Sequence, residues 1–322
     1  MVASKSWRSP DLPLQLVQFL SARAAPAGRL CIGLSGGRDS VALLHAAASL
    51  QLGKRLSALH VHHGLSPRAD AWEAHCRRLC DDLRVPLRVV RVQVRRDSGL
   101  GLEAAARQAR YQAFADCDAD FLLLAHHLGD LAETVLFNLI RGSGVTGAAG
   151  MPIERPLGRL RLLRPWRDVA PEAIAAYAGA QALKWVEDES NDDTGFSRNF
   201  LRHEILPRLR ARFPAVLPSL GAAAGHFAEA DGLLAELAEL DWQSNCQGEG
   251  LFMPAVRQLS AVRLKNLLRW RLRRLGWQVP VAARLDEFAR QLLSAGPDRH
   301  PGLSLPEGEM RVQGGCLQFL TL

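Results

Sequence analysis

Ser35-Gly36-Gly37-Arg38-Asp39-Ser40 is the stretch of this chain whose residue types are most readily put to chemical use. An apolar run from Leu30 to Leu34 enters it, and Val41-Ala42-Leu43-Leu44 leaves it as the start of a predicted helix. Strand, glycine turn and helix N-terminus in that order gather backbone N–H groups and the positive end of a helix dipole at one point, which suits a phosphate. Gly36 and Gly37 allow positive φ and close approach to a ligand, and Ser35 and Ser40 add hydroxyl donors. Asp39 would repel a phosphate unless a divalent cation stood between them. The same six residues also fit a plain strand-to-helix turn capped by Asp39 or Ser40.

Two further groups could carry chemistry. His126, Asp130 and Glu133 fall on one face at helical spacing after the apolar run Phe121 to Ala125. Two carboxylates one turn apart can hold a cation or an ammonium group, or can simply complement a helix dipole. Glu103, Arg107 and Arg110 recur at i, i+4 and i+7, which places them on one helical face; the plain reading is a solvated ion pair worth about 0.2–0.5 kcal/mol.

The elements that must position these groups alternate. Helices are predicted over Leu12 to Ala24, from Ser40, over Pro67 to Leu83, Gly101 to Ala115, Asp130 to Arg141 and Pro171 to Ala180. Strands are predicted over Leu30 to Leu34, Leu56 to His62, Pro86 to Val94 and Phe121 to Ala125. Such alternation makes a parallel α/β sheet, whose ligands bind at the carboxyl ends of the strands. The glycine turn, His62-His63-Gly64 and His126-His127 all fall at such ends. Pro152 to Trp166 reads as an arginine-studded loop or hairpin; an acidic loop from Glu187 to Thr194 precedes a basic helix from Ser197 to Arg212. Composition shifts at Pro214 and Pro218, so two domains are expected, 1–213 (with a linker helix at about 194–213) and 214–322. The second reads as helices to Leu240, at Val256 to Leu275 and at Val281 to Leu293, then a short β tail from Ser304.

With 322 residues, 48% hydrophobic and 23% charged, the chain has the composition of a folded soluble protein. Its net charge of +7 is carried almost wholly by arginine, the lysines being Lys5, Lys54, Lys184 and Lys265. Planar guanidinium forks suit phosphates, and a polyanionic partner such as nucleic acid follows. The six cysteines show no disulfide framework, and Cys76 and Cys80 share helical spacing with Trp72, Leu79 and Leu83, which makes them core residues rather than zinc ligands. No apolar signal region and no run near the roughly 18 apolar residues of a membrane span is found. A cytoplasmic setting without membrane contact is expected.

The Ser35–Ser40 stretch resembles the PP-loop, Ser-Gly-Gly-X-Asp-Ser, of the N-type ATP pyrophosphatases. From about Arg29 to Pro207 further motifs follow in order: His60-Val61-His62-His63-Gly64-Leu65, Leu102-Glu103-Ala104-Ala105-Ala106-Arg107 through Tyr111, Ala125-His126-His127 through Thr134, Arg141-Gly142-Ser143-Gly144 through Met151, and Glu187-Asp188-Glu189-Ser190-Asn191 through Arg202. Together they resemble the tRNA(Ile)-lysidine synthetases. That resemblance implies a PP-loop catalytic domain followed by a helical tRNA-binding domain. It also implies a ligase that adenylates O2 of the wobble cytidine in the CAU-anticodon isoleucine tRNA with ATP and Mg²⁺, then lets the ε-amine of free L-lysine displace AMP at C2. On this reading Ser35, Gly36, Gly37, Arg38, Asp39, Ser40, His63 and Arg107 bind ATP, and Asp39 and Asp130 hold Mg²⁺. Asp130 and Glu133 position the lysine ammonium and, with Asp39, are catalytic. Arg110, Arg141, Arg198 and Arg202 contact tRNA or ATP phosphates; a solvated basic face is the plain alternative for such arginines. Gly129-Asp130-Leu131 stands where many members have Asp-Asp-Gln, which shifts weight onto Asp130. A single C-terminal domain resembles the family's shorter form, and a homodimer is compatible with it.

Two other readings compete. A PP-loop tRNA thiolase would need a catalytic cysteine pair, and Cys76 and Cys80 have a core-like pattern. A tRNA-binding protein with a dead ATP site is the alternative from another class; the intact Ser35–Ser40 stretch speaks against it.

Overall fold

In the computed structural model, residues 11–94, 101–189, 193–296 and 299–321 are described, without the side chains of Lys54, Leu102 and Glu103. Ser190, Asn191 and the Glu103 side chain therefore lie outside the described residues. Two compact units are present, Met1–His226 and Phe227–Leu322.

The first unit is built on six strands: β1 (Leu30–Gly33), β2 (Leu56–His62), β3 (Leu87–Arg91), β4 (Phe121–Leu123), β5 (Glu154–Leu157) and β6 (Leu160–Leu163), in the order β3-β2-β1-β4-β6-β5. All neighbours pair in parallel except the β5–β6 hairpin. The β1 residues are buried on both faces: Leu30 and Ile32 enter one core with Leu43, Leu44, Cys76 and Ile174, while Cys31 enters another with Phe114 and Leu122. A continuous apolar strand is what a sheet covered on both sides requires. Each fully buried leucine contributes on the order of 1.5–3 kcal/mol.

The covering helices are α1 (Leu12–Arg23), α2 (Arg38–Ser49), α3 (Ala69–Asp82), α4 (Leu102–Ala115), α5 (Leu128–Ile140), the short α6 (Val145–Ala148) and α7 (Pro171–Ala180). Strand order reverses between β1, which leads to β2 and β3, and β4 on its other side. A crevice at the carboxyl ends of β1 and β4 is the ligand site that this topology creates.

The basic helix expected from Ser197 to Arg212 is broken into α8 (Ser197–Phe200), a π turn (Leu201–Ile205) and α9 (Leu206–Arg212). The π turn closes by the Leu206 N–H bonding to Leu201 O. Pro207 explains it: proline has no N–H for the preceding turn and its ring presses on the carbonyl four residues back.

The long helix α10 (Val216–Asn245) begins before Pro218, since proline is tolerated in a first helical turn. The division between units falls inside α10, C-terminal to the expected boundary at 213–214. In the second unit the expected Val256–Leu275 helix is two, α11 (Met253–Val256) and α12 (Ala261–Arg274), because Ser260 caps α12 by accepting the Arg263 N–H. Helix α13 (Ala282–Ser294) follows. The β tail is part of a five-stranded antiparallel sheet of β7 (Cys246–Gln247), β8 (Gly250–Phe252), β9 (Gly302–Leu305), β10 (Gly308–Gln313) and β11 (Cys316–Thr321). No helix among the described residues is long and apolar enough to cross a membrane.

Candidate active site

The chain leaves β1 through Leu34 into a turn braced by its own hydroxyls. Ser40 Oγ donates to Gly37 O at 2.9 Å and accepts the Ser35 N–H at 3.2 Å, and the two serine hydroxyls lie 3.0 Å apart. Gly36 has φ +91°, and a Cβ there would stand 3.0 Å from Val186 Cγ2 and 3.1 Å from Cys76 Sγ. The Val186 N–H in turn bonds Gly36 O at 3.0 Å. Helix α2 starts at Arg38, so its first amides have no acceptor within the helix and remain for a ligand.

This turn opens on a cavity of about 220 Å³ lined by Ser35, Asp39, Ser40, His63, Arg107, Arg110, Tyr111 and His126, among others. Most of the residues assigned from sequence to ATP thus meet at one place. The cavity wall is rich in guanidinium. Tyr111 lies between Arg107 and Arg155, whose Cζ atoms are 4.7 and 4.9 Å from its ring centroid. Arg164, 2% exposed, donates through Nε to His126 Nδ1 at 3.2 Å and through Nη1 to Pro152 O at 2.6 Å. Burial, with Arg164, Arg107 and Arg110 nearby, outweighs the opposing pull of Asp130 and brings the His126 pKa down to about 3. Its ring is therefore neutral, and with Nδ1 accepting from Arg164 the remaining proton sits on Nε2. Burial also lowers the His63 pKa, helped by Arg110.

His126 does not share a helical face with Asp130 and Glu133 as expected. The helix begins at Leu128, two residues before the expected Asp130, with His127 as its N-cap, so that His126 stands outside it. The Asp130 N–H donates to His127 Nδ1 at 3.2 Å and the His127 N–H donates to Asp130 Oδ2 at 2.9 Å, a reciprocal capping box. His127 Nε2 then faces Asp39 Oδ2 at 3.5 Å, and Arg38 Nε donates to Asp39 Oδ1 at 2.9 Å. Burial pushes the Asp39 carboxyl up, but His127 and Arg38 together outweigh it and leave its pKa below the ordinary value.

Asp130 and Glu133 do hold a cation: the guanidinium of Arg202, from the π turn. Its Nε donates to Glu133 Oε2 at 2.9 Å and its Nη2 to Asp130 Oδ1 at 3.1 Å. Glu133 is buried enough that desolvation raises its pKa despite Arg202. Farther along the same helix, Arg141 and Arg198 stack on Phe137, with Cζ atoms 5.0 and 5.6 Å from its centroid.

Sequence reasoning passed over three contributors. His127 was visible only as half of a His-His pair, although a capping residue three positions before an aspartate is a readable signal. Arg155 and Arg164 lay in the arginine-studded hairpin, whose inward orientation needs β6 to join the sheet beside β4. Cys76 and Cys80 are core residues, with thiol pKa values pushed by burial to about 12. The described residues bring metal-ligating atoms of His62, Asp70 and Glu73 within 4.8 Å of one another, but Arg91 bonds both carboxylates, at 2.9 and 2.8 Å.

Residues 10–209 match the model of the PP-loop domain, and residues 251–318 match that of the TilS substrate binding domain. The tRNA(Ile)-lysidine synthase of Alkalilimnicola ehrlichii is 47% identical over 94% of this chain and 69% of its own length. This chain belongs to the tRNA(Ile)-lysidine synthase family. Family members from Nitrosomonas europaea and Pseudomonas aeruginosa are 41% and 44% identical, over 99% and 97% of this chain and 71% and 73% of theirs. Among solved structures, the U34-tRNA thiolase NcsA of Methanococcus maripaludis with its 4Fe-4S cluster superposes with a TM-score of 0.54 at 17% identity, covering 68% of this chain and 78% of that one. At that identity it shares the fold of this lysidine synthase family member.

Proposed function

We propose that the first unit joins free L-lysine to C2 of the wobble cytidine in the CAU-anticodon isoleucine tRNA, consuming ATP and releasing AMP and pyrophosphate. The observation that carries this reading, beside family membership, is the convergence of Ser35, Asp39, Ser40, His63 and Arg107 on one cavity at the carboxyl ends of β1, β2 and β4. In the first step the cytidine O2 attacks the α-phosphorus and the bond to pyrophosphate breaks. In the second the lysine ε-amine attacks C2, the C2–O bond breaks with AMP leaving, and the amine loses a proton. The α2 amides and the Ser35 and Ser40 hydroxyls hold the pyrophosphate end. Arg107, Arg110 and the neutral His126 ring face the α-phosphate and the base. Asp130 and Glu133 accept the lysine ammonium in the place where Arg202 now lies.

Asp39 is ionised, a hard oxygen donor and open to the cavity, so it fits Mg²⁺; Asp130, whose Oδ1 is held by Arg202 and Oδ2 by the His127 N–H, would become a second oxygen ligand only where Arg202 gives way. When bound, Mg²⁺ would supply charge neutralisation of the leaving pyrophosphate. Arg141 and Arg198, stacked on Phe137, would contact tRNA phosphates. A reaction that draws on ATP and free lysine belongs in the cytoplasm. A thiolase is disfavoured by the protonated, core-buried Cys76 and Cys80.

The test is incorporation of labelled lysine into the CAU-anticodon transcript in the presence of ATP and Mg²⁺. Label should enter the tRNA, and Asp39→Ala should abolish incorporation while tRNA still binds. No incorporation by the native protein, with tRNA bound, would sink the enzyme reading.

A further inference from the structure

His127 stands between two carboxylates that belong to different elements, Asp39 at the start of α2 and Asp130 in the first turn of α5. Both ring nitrogens are engaged. Nδ1 is committed to the Asp130 N–H at 3.2 Å, so the ring proton sits on Nε2, the atom that faces Asp39 Oδ2. The ring side chain is 12% exposed. The backbone two residues on is shaped to admit it: a Cβ on Gly129 would stand 2.9 Å from His127 Cε1 and 3.1 Å from Nδ1. Gly129 thus leaves room for the imidazole in the place it takes here.

The remaining charged groups are arranged around this link. Arg38 takes the other Asp39 oxygen at 2.9 Å, and Arg202 takes the other Asp130 oxygen at 3.1 Å. Arg38 alone cannot aim Asp39, since it is the adjacent residue and moves with the same turn. His127 is anchored elsewhere, on α5, which the β4 strand carries.

We propose that His127 is a positioning residue that ties the Asp39 carboxylate to the start of α5 and so fixes its direction toward the pyrophosphate end of bound ATP. This deepens, and rests on, the assignment of the cavity to ATP. Two of its atoms do separable jobs: Nδ1 caps α5 and Nε2 orients Asp39. Asparagine supplies an oxygen in the place of Nδ1 but is too short to reach Asp39; glutamine places a donor near Nε2 but gives up the cap.

The test compares native protein, His127→Asn and His127→Gln in three measurements: melting temperature without ligand, the Mg-ATP concentration giving half the maximal thermal shift, and the KM values and turnover of lysine incorporation. His127→Asn should melt like the native protein yet need at least about tenfold more Mg-ATP, with turnover down about 10–100-fold and the KM for lysine unchanged within about twofold. His127→Gln should melt lower but keep its Mg-ATP requirement within about threefold of native. The proposal is overturned if His127→Asn has the native Mg-ATP requirement, or if both variants lose Mg-ATP binding in proportion to their loss of melting temperature. Absence of lysine incorporation by the native protein would instead remove the ligase reading, while the Mg-ATP comparison would still decide the role of His127.

Discussion

The wall of Arg107, Arg155 and Arg164 around Tyr111 and the chain of groups running from Arg38 through Asp39, His127 and Asp130 to Arg202 and Glu133 diverge from one peptide bond, that between His126 and His127. On the His126 side, among the described residues, none of the three guanidiniums pairs with a carboxylate; they stack on Tyr111 or bond to carbonyls and to His126 itself. On the His127 side positive and negative groups alternate at 2.9–3.5 Å. Among its described residues the first region carries an excess of positive charge that a polyanion would neutralise. The second is neutralised within the fold. The two histidines report this directly, one pKa driven down by burial and neighbouring arginines, the other raised because Asp39 and Asp130 overcome burial.

The largest way to break the contrast is to remove a cation from the balanced side. Arg202→Met leaves Asp130 and the buried Glu133 facing each other, and should cost about 2–3 kcal/mol in urea unfolding. Adding Glu133→Gln should recover part of it. On the other side Arg107 pairs with no carboxylate among the described residues, so Arg107→Ala should leave the unfolding midpoint near native. Loss of a charge-assisted phosphate contact worth about 1.5–3 kcal/mol should instead raise the Mg-ATP requirement about 10–100-fold, read by nucleotide titration.

Acid titration sharpens the comparison further. His126 has a folded pKa of about 3 against 6.5 for the free group, so the unfolded chain takes up its proton first. Its contribution to stability is present above about 6.5 and is lost as pH falls from there toward about 3. The raised His127 runs the other way: its contribution is whole below 6.5 and is lost as pH rises through its folded pKa. Melting temperatures followed from pH 8 to pH 4 should fall less steeply on the acid side for His126→Gln than for the native protein. The smallest effect is expected at Arg141 and Arg198. Each cation–π contact with Phe137 is worth about 0.5–1 kcal/mol, so alanine at either should barely move the melting temperature. The slope of log tRNA affinity against log salt should shrink by about 1.

Much of this was legible from residue types. The β1 turn, the strand-end His63 and the His126-His127 pair were readable as parts of one cleft because a parallel sheet sends its carboxyl ends to one side, whereas the α4 arginines entered only through the family resemblance. Helix α7 runs from Pro171 to Ala180 as the proline start implies. What pattern could not supply was partner choice. Helical spacing puts Asp130 and Glu133 on one face, but only the packing of the π turn against α5 shows that the cation between them is Arg202. Likewise two residues of helix start, Leu128 rather than Asp130, decide that His126 turns to Arg164 while His127 turns to Asp39. In the second unit β7 and β8 went unread because two and three residues carry too little alternation to register.

The π turn at Leu201–Ile205 sets a constraint of length as well as composition. A turn closed over five residues holds one residue more than an α-helical turn, so α8 and α9 are out of phase by roughly the 100° that one residue spans. Arg198 and Arg202 precede or enter that slip and reach Phe137 and the Asp130–Glu133 pair, whereas Arg210 follows it and reaches Glu172 on α7 at 2.5 Å. Removing any single residue between 201 and 205 would bring the two helices into register and turn one of these arginines away from its partner. The spacing between Arg202 and Pro207 is thus a ruler that cannot lose a mark.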